Sequence, residues 1–369
     1  MKTISTLCII LFASAQLAFS QGCVAVRHMS CTAPNANNSA DFFKQKRGTW
    51  QVNVGYRYFQ SFRHFVGDVE QTQRIADGTQ VINTSHAMDV GITYMPNPRL
   101  SLSVNLPIQS NDRSSLYEHY GNTLTANPEQ KRFHTKSQGI GDMRVSASYW
   151  VRNPLTAPKF NFAVGVGVKF PTGNAGVEDD FHKLDKEKKD YTIRKPVDQS
   201  IQLGDGAVGF NVDLQGYYAF NKTLTLYFNG FYLFNPKEVN SVKRDPTSTA
   251  TDASAYFSVA DQFAARLGVS QALPFAKGFA VMLGGRAEGV PAIDAFGGSD
   301  GFRRPGYILS VEPGVSYMKG RFSAAVTVPW ALYRNRTKSY ADRQDPTGQK
   351  HGDAAFADYL ISANISRWF

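Results

Sequence analysis

The sequence has few cysteines, little charge and no long apolar run beyond its first twenty residues. Only three of the 369 residues are cysteine, and 19% carry a formal charge, which is below the roughly 25% that is usual for globular domains. Long solvated helices and charged disordered regions are therefore not expected. After residue 48, no stretch approaches the ~18 uninterrupted apolar residues that mark a transmembrane helix. The mean hydropathy is slightly negative, which also argues against a bundle of membrane helices.

Aromatic residues and glycine are abundant instead. The chain has 26 Phe, 17 Tyr and 31 Gly, and its formal net charge is +10. High aromatic and glycine content with little charge is typical of strands whose two faces meet different solvents. The basic residues are scattered and form no recognisable nucleic-acid-binding module, so we expect no nucleic-acid partner.

Residues 1–20 have the pattern of a secretory signal peptide. Lys2 precedes the apolar stretch 4–19, and Ala18-Phe19-Ser20 places small residues at the −3 and −1 positions of a cleavage site. We predict cleavage after Ser20. An uncleaved N-terminal anchor and a lipoprotein acylated at Cys23 are the alternatives.

Two cysteines remain after cleavage, Cys23 and Cys31. An exported protein meets an oxidising compartment, so we predict a local disulfide between them. The alternative is a metal site that adds His28 and Met29, but the spacing matches no zinc or haem motif. We therefore predict no metal and no cofactor. Residues 21–48 are expected to form a periplasmic segment or a small plug.

Short segments after residue 48 alternate between apolar and polar residues, as in 49–59, 99–108 and 159–170. A period of two is the pattern of strands with one apolar and one polar face. Soluble sandwiches alternate too, but here aromatic residues bracket the apolar rows, as Phe160 and Phe170 do. Short connections also alternate with long polar ones. Both features are typical of a barrel in an outer membrane.

We therefore predict an all-β fold over residues 49–369, a transmembrane antiparallel up-and-down β-barrel of about twelve strands. An even count places both ends on the periplasmic side. A fourteen-strand barrel is the alternative, because a further hairpin could hide in 171–202 or in the N-terminal segment. The predicted strands are 49–60, 84–95, 99–108, 140–152, 160–170, 206–220, 223–234, 257–273, 278–288, 306–318, 321–334 and 354–369.

The last strand resembles the C-terminal strand of bacterial outer-membrane barrels. Residues 357–369 read ADYLISANISRWF and end in Phe369. The resemblance implies recognition of this strand by the barrel-assembly machinery. Arg367 departs from the apolar residue that is usual third from the end, and we expect Trp368 beside it to serve a membrane interface.

Three middle segments resemble a family of outer-membrane transporters named for a meta-pathway of phenol degradation. They are 139–151, 162–174 and 202–210, and Pro171-Thr172-Gly173 is the most specific element. The resemblance implies the outer membrane of a Gram-negative bacterium and passage of small solutes, including hydrophobic or aromatic compounds. It implies no binding residues.

The polar face of each strand is predicted to line the lumen. Its side chains would either brace the barrel through ion pairs or select solutes along a pathway, and both can hold together. The predicted lumen-lining residues are Asn53, Arg57, Asp89, Asp142, Arg144, Lys169, Asn211, Asp213, Arg266, Arg286, Glu312 and Arg321.

The predicted function is therefore a channel or transporter for small solutes. The alternative is a structural or partner-docking barrel without transport. A lipid-modifying enzyme has less support because no G-x-S-x-G motif occurs. Ser85 and His86 are the best nucleophile–base pair, yet neighbouring strand residues point to opposite faces.

Two loops carry charged clusters that outer-membrane lipid could contact. Segment 178–190 reads EDDFHKLDKEKKD and is expected to be a solvated loop, with a lipopolysaccharide contact as the alternative. Segment 293–306 contains Asp294 and Asp300 around glycines, followed by Arg303-Arg304. That segment is expected to be an ordinary basic loop, with a calcium site and contact of the two arginines with lipid phosphates as the alternatives.

Overall fold

The computed structural model describes residues 48–369. The predicted signal peptide, the segment before residue 48 and the Cys23–Cys31 disulfide lie outside the described residues. Within residues 48–369, no helix is long and apolar enough to cross a membrane.

The described residues form nineteen strands, two short helices and two 3-10 turns. The strands are β1 (Thr49–Val66), β2 (Val69–Glu70), β3 (Ile82–Asn97), β4 (Leu100–Ser115), β5 (Phe133–Ile140), β6 (Met143–Trp150), β7 (Phe160–Phe170), β8 (Glu178–Leu184), β9 (Asp190–Pro196), β10 (Gly209–Ala219), β11 (Leu224–Phe234), β12 (Val239–Lys243), β13 (Tyr256–Ser258), β14 (Gln262–Ala272), β15 (Phe279–Val290), β16 (Gly306–Lys319), β17 (Phe322–Thr327), β18 (Trp330–Asn335) and β19 (Ala354–Trp368). The helices are α1 (Gln73–Ala76) and α2 (Tyr340–Arg343), and the 3-10 turns are Gln199–Ile201 and Ala253–Ala255.

A closed antiparallel barrel accounts for most of these strands. Its order is β1, β3, β4, β5 with β6, β7, β10, β11, β14, β15, β16, β17 with β18, and β19, which pairs back with β1. At the closure Asn53 lies opposite Ser366 and Arg57 lies opposite Ser362. Because β5 with β6 and β17 with β18 each form one interrupted strand, the barrel has twelve strands. The predicted fold class is confirmed.

Two strands of the barrel are broken where prolines interrupt the hydrogen-bonded ladder. The predicted strand 140–152 covers β6 but only the last residue of β5, so most of β5 was missed, and the break between β5 and β6 lies beside Pro107 of β4. Pro329 separates β17 from β18, and Val328 N there donates to Pro313 O over 3.0 Å. Proline has no N–H to donate, so pairing stops at these points.

The alternation predicted the two faces of the barrel wall correctly. Outward side chains such as Val166, Leu267 and Leu283 are more than half exposed, whereas inward Arg266 and Glu312 are buried. A soluble sandwich would cover its apolar rows. A continuous exposed apolar belt around a closed barrel is instead the surface of a protein that lies in lipid.

The two ends of the barrel differ. The end with short connections, which we call the turn end, includes Thr49 and the C-terminal Phe369. The other end, which we call the loop end, carries the long connections. Several strands extend further towards it than predicted, since β1 reaches Val66 and β3 begins at Ile82.

The long connections contain structure of their own. The hairpin of β8 and β9 lies in the predicted loop 171–202, and β12 pairs with β13. Both pairs are separate from the barrel sheet, so the hairpin does not produce a fourteen-strand barrel. The predicted strand 257–273 accordingly begins later, at Gln262 of β14, because β13 pairs outside the wall.

Outward aromatic residues lie near both ends of the wall. At the turn end the Trp50 and Tyr94 rings are 4.6 Å apart, and Phe279 and Tyr317 are 4.7 Å apart. Phe369 is exposed at this end. The expectation for Trp368 is wrong, because its side chain is buried at 4% exposure. It lies opposite inward-facing Gln51, whereas Arg367 takes the outward position.

Candidate functional site: a two-walled cavity inside the barrel

The barrel encloses a cavity of about 100 Å³ near the middle of its wall. One side of this central cavity is polar and comes mainly from β1, β3, β4, β6 and β7. The other side is mainly apolar, although Ser258 and Gln262 also line it, and it comes from β11, the segment around β13 and the end of β15. The polar side includes Arg57, Ser85, Asp89, Asn105, Gln109, Asn111, Asp142, Arg144 and Lys169. The apolar side includes Phe231, Leu233, Phe257, Ala260 and Val290, with Phe59 nearby on β1.

The structure places the predicted lumen residues in three groups. Five line the central cavity: Arg57, Asp89, Asp142, Arg144 and Lys169. Six lie elsewhere on inward rows, buried or half-buried: Asn53, Asn211, Asp213, Arg266, Arg286 and Glu312. Arg321 departs from the prediction. It is exposed in the turn before β17, because the strand's inward row begins only at Ser323.

Ion pairs neutralise much of the inward charge, and they form within one strand, between neighbouring strands and across an intervening strand. Arg57 Nε lies 3.2 Å from Asp89 Oδ2, and Arg266 binds Glu312 through two bonds of 2.8 and 2.6 Å. Arg286 binds Glu288 in the same forked way, over 2.9 and 2.7 Å. A charged side chain in a low-dielectric interior is tolerated only while its partner is present, so removing one partner of such a pair destabilises the fold.

Asp142 fastens loops to the wall at the β5–β6 break. Its Oδ1 accepts from Gly173 N and its Oδ2 from Asp205 N, both over 3.0 Å. Lys169 on β7 forms an ion pair with Asp205 in turn. Gly204 lies so close that a Cβ there would stand 2.4 Å from Asp142 Oδ1. The interruption in the strand thus holds the loop that follows β9.

That loop, residues 197–205, folds inward over the central cavity. Gln199, Gln202 and Asp205 line the side of the cavity that faces the loop end. The apolar side chains of Val197 and Ile201 are buried at 0% and 1% exposure. Gln109 of the wall donates to the Leu203 carbonyl over 3.1 Å. We call this segment the inner loop.

Asp198 anchors the inner loop to β4 and to the connection between β15 and β16, both at the loop end. Both of its oxygens accept from Arg304, over 2.8 and 2.7 Å, and Arg113 lies 3.6 Å away. Burial would raise the pKa of Asp198, but the charges of Arg113 and Arg304 outweigh burial and hold its pKa well below its usual range. The carboxylate therefore stays ionised.

A second cavity of about 240 Å³ lies beyond this anchor at the loop end. Arg113 and Arg304, the partners of Asp198, line it together with Arg74 and His64. Asp353 also lines it and accepts from His64 Nδ1 over 2.8 Å. The inner loop thus stands between an outer and a central cavity.

Large aromatic side chains narrow the lumen at the turn end. Tyr217 and Tyr227 lie opposite each other on β10 and β11, each with 2% exposure. The Trp150 ring lies 5.8 Å from the Tyr217 ring. Tyr217 donates to the Ala157 carbonyl over 2.9 Å, which holds the connection between β6 and β7 against the barrel end.

Sequence reasoning missed the apolar wall and the inner loop. Phe231 and Leu233 are inward residues on a strand whose outward residues are apolar too, so alternation is weak there. Phe257 belongs to β13, which the prediction placed at the start of a wall strand, and Asp198 lies in a connection, where no period applies. The forked Asp198–Arg304 pair joins positions 106 residues apart, and the sequence carried no signal for it.

Ser85 and His86 are not brought together as a nucleophile–base pair. Ser85 donates inward to Asn111 over 2.7 Å, while outward His86 contacts Tyr56 over 2.8 Å. The pair therefore points to opposite faces, as expected. Among residues 48–369, no three His, Cys, Asp or Glu side chains are grouped so that they could hold a metal ion.

Comparison with known proteins supports the fold. No protein-family model and no curated protein matches the sequence. An outer-membrane channel from Pseudomonas putida F1 is similar in structure, with a TM-score of 0.54 and 12% identity over 93% of this chain and 100% of that chain. The Pseudomonas putida toluene transporter TodX gives a TM-score of 0.44 and 8% identity over 95% and 96% of the two chains. The similarity to the Pseudomonas putida F1 channel shows a shared fold, whereas the TM-score with TodX is too low to support any conclusion. The chain thus has the fold of an outer-membrane β-barrel.

Proposed function

We propose that this protein is an outer-membrane channel that passes small solutes through the barrel interior. The central cavity carries this proposal, because it is enclosed by the wall and has both a polar and an apolar side. Apolar residues such as Phe231 and Phe257 give a solute's hydrophobic part a surface, while Asn105 and Gln109 offer hydrogen bonds. Sites for small molecules commonly combine these two kinds of lining.

Small hydrophobic or aromatic compounds fit such a cavity. The similar channel from Pseudomonas putida F1 supports the location in the outer membrane, and the sequence resemblance to phenol-degradation transporters supports the solute class. With the turn end in the periplasm, a solute entering from outside meets the outer cavity, then the inner loop, then the central cavity. Export through the signal peptide and insertion by the barrel-assembly machinery at Phe369 complete the proposal.

Purified protein in planar bilayers tests the channel directly. We expect discrete current steps, together with uptake of a small aromatic probe into proteoliposomes faster than into protein-free vesicles. The second candidate function is a structural barrel without transport, which the dense inward ion pairing favours. A barrel that migrates on gels as a folded, heat-modifiable protein but gives neither current nor uptake would support that candidate and contradict the channel.

A further inference from the structure

The connection between β15 and β16 carries large apolar side chains that the channel does not use. Ile293 and Phe296 are 64% and 63% exposed, although they lie in a long connection at the loop end. Neither lines the central or the outer cavity. An exposed apolar side chain marks an interaction site when it is continuous with a larger apolar surface.

The Phe296 side chain lies against the outside of the barrel wall. The Phe296 ring is 5.6 Å from that of Phe234, which is 4.4 Å from Tyr232 on the outward row of β11. Phe234 lies opposite Phe210, which is 51% exposed on β10. Phe296 therefore continues the outward aromatic row at the loop end.

Buried charges hold this connection in place. Arg303 binds both oxygens of Asp294 over 2.6 and 2.5 Å, and both side chains are fully buried. Asp261 accepts from Ala295 N over 2.8 Å and from Asn235 N over 2.6 Å. Asp294 is therefore occupied by an arginine rather than poised for calcium, and Arg303 does not reach lipid phosphates. Both sequence-based alternatives fail for these two residues.

Close backbone packing fixes the turn that follows Phe296. Gly297 has φ +85°, and a Cβ there would stand 2.4 Å from the Pro236 carbonyl oxygen. Glycine is required by both the conformation and the space. The exposed residues are thus presented by an anchored loop, which keeps the entropy cost of binding low.

We propose that Ile293 and Phe296 form an apolar wedge that rests among the acyl chains just below the headgroups of the outer leaflet. The partner is lipid because the wedge is continuous with the outward row of the wall, the surface already assigned to lipid. Aromatic residues favour this boundary, where an apolar ring meets a polar layer. The wedge would fix the height of the loop end in the membrane. The inference rests on the membrane insertion proposed above.

Nitroxide labels test the wedge in the full mature chain reconstituted in vesicles. Cys23→Ser and Cys31→Ser provide the background, and single cysteines replace Phe296, Leu214 or Leu124. Leu214 is an outward belt residue, and Leu124 is 69% exposed in the connection between β4 and β5. We expect the label at 296 to match that at 214, colliding with oxygen but shielded from a water-soluble nickel complex. The label at 124 should collide freely with nickel.

Three results would overturn the wedge. Nickel accessibility at 296 equal to that at 124, with 214 shielded, would place the loop in water while leaving the barrel inserted. Spin–spin broadening at 296 would show that a second copy of the chain, rather than lipid, covers the loop. Nickel accessibility at 214 would mean that the barrel itself is not inserted, which removes the proposed function as well.

Discussion

Releasing the inner loop should open the channel, and Asp198→Asn is the sharpest way to release it. The substitution keeps the side chain's shape but removes the charge that binds Arg304 through two bonds of 2.8 and 2.7 Å. Arg113 keeps Glu118 at 2.8 Å, so Arg304 is the cation that loses its partner. Breaking a buried pair costs about 3–5 kcal/mol. We take the lower end, about 3 kcal/mol, because Arg304 is 19% exposed.

A loss of about 3 kcal/mol shifts the docking equilibrium of the inner loop about a hundredfold, since each 1.4 kcal/mol is tenfold. Single-channel recording at pH 7 should show the open fraction rising by up to that factor in the variant. Asp245→Asn is the matched control, because it removes the same charge from an exposed residue in the connection after β12. Unchanged opening in a correctly folded Asp198→Asn protein would refute the inner loop as the barrier.

Three further predictions concern the loops, the wall and the cavity. His119, in the connection between β4 and β5, accepts from His182 N of β8 over 3.1 Å. Burial lowers the pKa of His119 to about 4, so the β8–β9 hairpin should lose hydrogen-exchange protection as the pH falls from about 6.5 towards 4, and His119→Phe should remove that dependence. Glu312→Gln should destabilise the barrel by about 3–5 kcal/mol in urea unfolding, whereas Arg194→Gln, which breaks exposed pairs, should cost under about 1 kcal/mol. Phe231→Asp should slow the flux of a small aromatic solute into liposomes while leaving the flux of free glycine unchanged. Equal slowing of both solutes would contradict a role for the apolar side of the cavity.

The sequence predicted the barrel well because lipid favours apolar side chains along the outward row of each strand. Residues such as Val166 and Leu267 therefore reveal their side of the wall from local pattern alone, and polar outward residues such as His86 and Arg367 are exceptions. The same parity placed Arg266 and Glu312 inside. It did not predict that they pair, because register between distant strands depends on the whole closed ladder.

The candidate site was harder to predict because half of it comes from connections. The inner loop is held by contacts such as Asp142 with Asp205 N, which follow from tertiary folding rather than from any period. Pro107 and Pro329 did carry a signal for the strand breaks, since proline interrupts a ladder. Their effect on neighbouring strands required the observed pairing.

Chemical modification inside the lumen tests most directly whether solutes cross through the barrel. Asn105 lines the central cavity, and its neighbour Val104 is 42% exposed on the outward face. A membrane-impermeant, charged thiol reagent should reduce single-channel current stepwise in Asn105→Cys and leave Val104→Cys unchanged. Current that persists unaltered in an Asn105→Cys protein with proven labelling would contradict passage through the cavity.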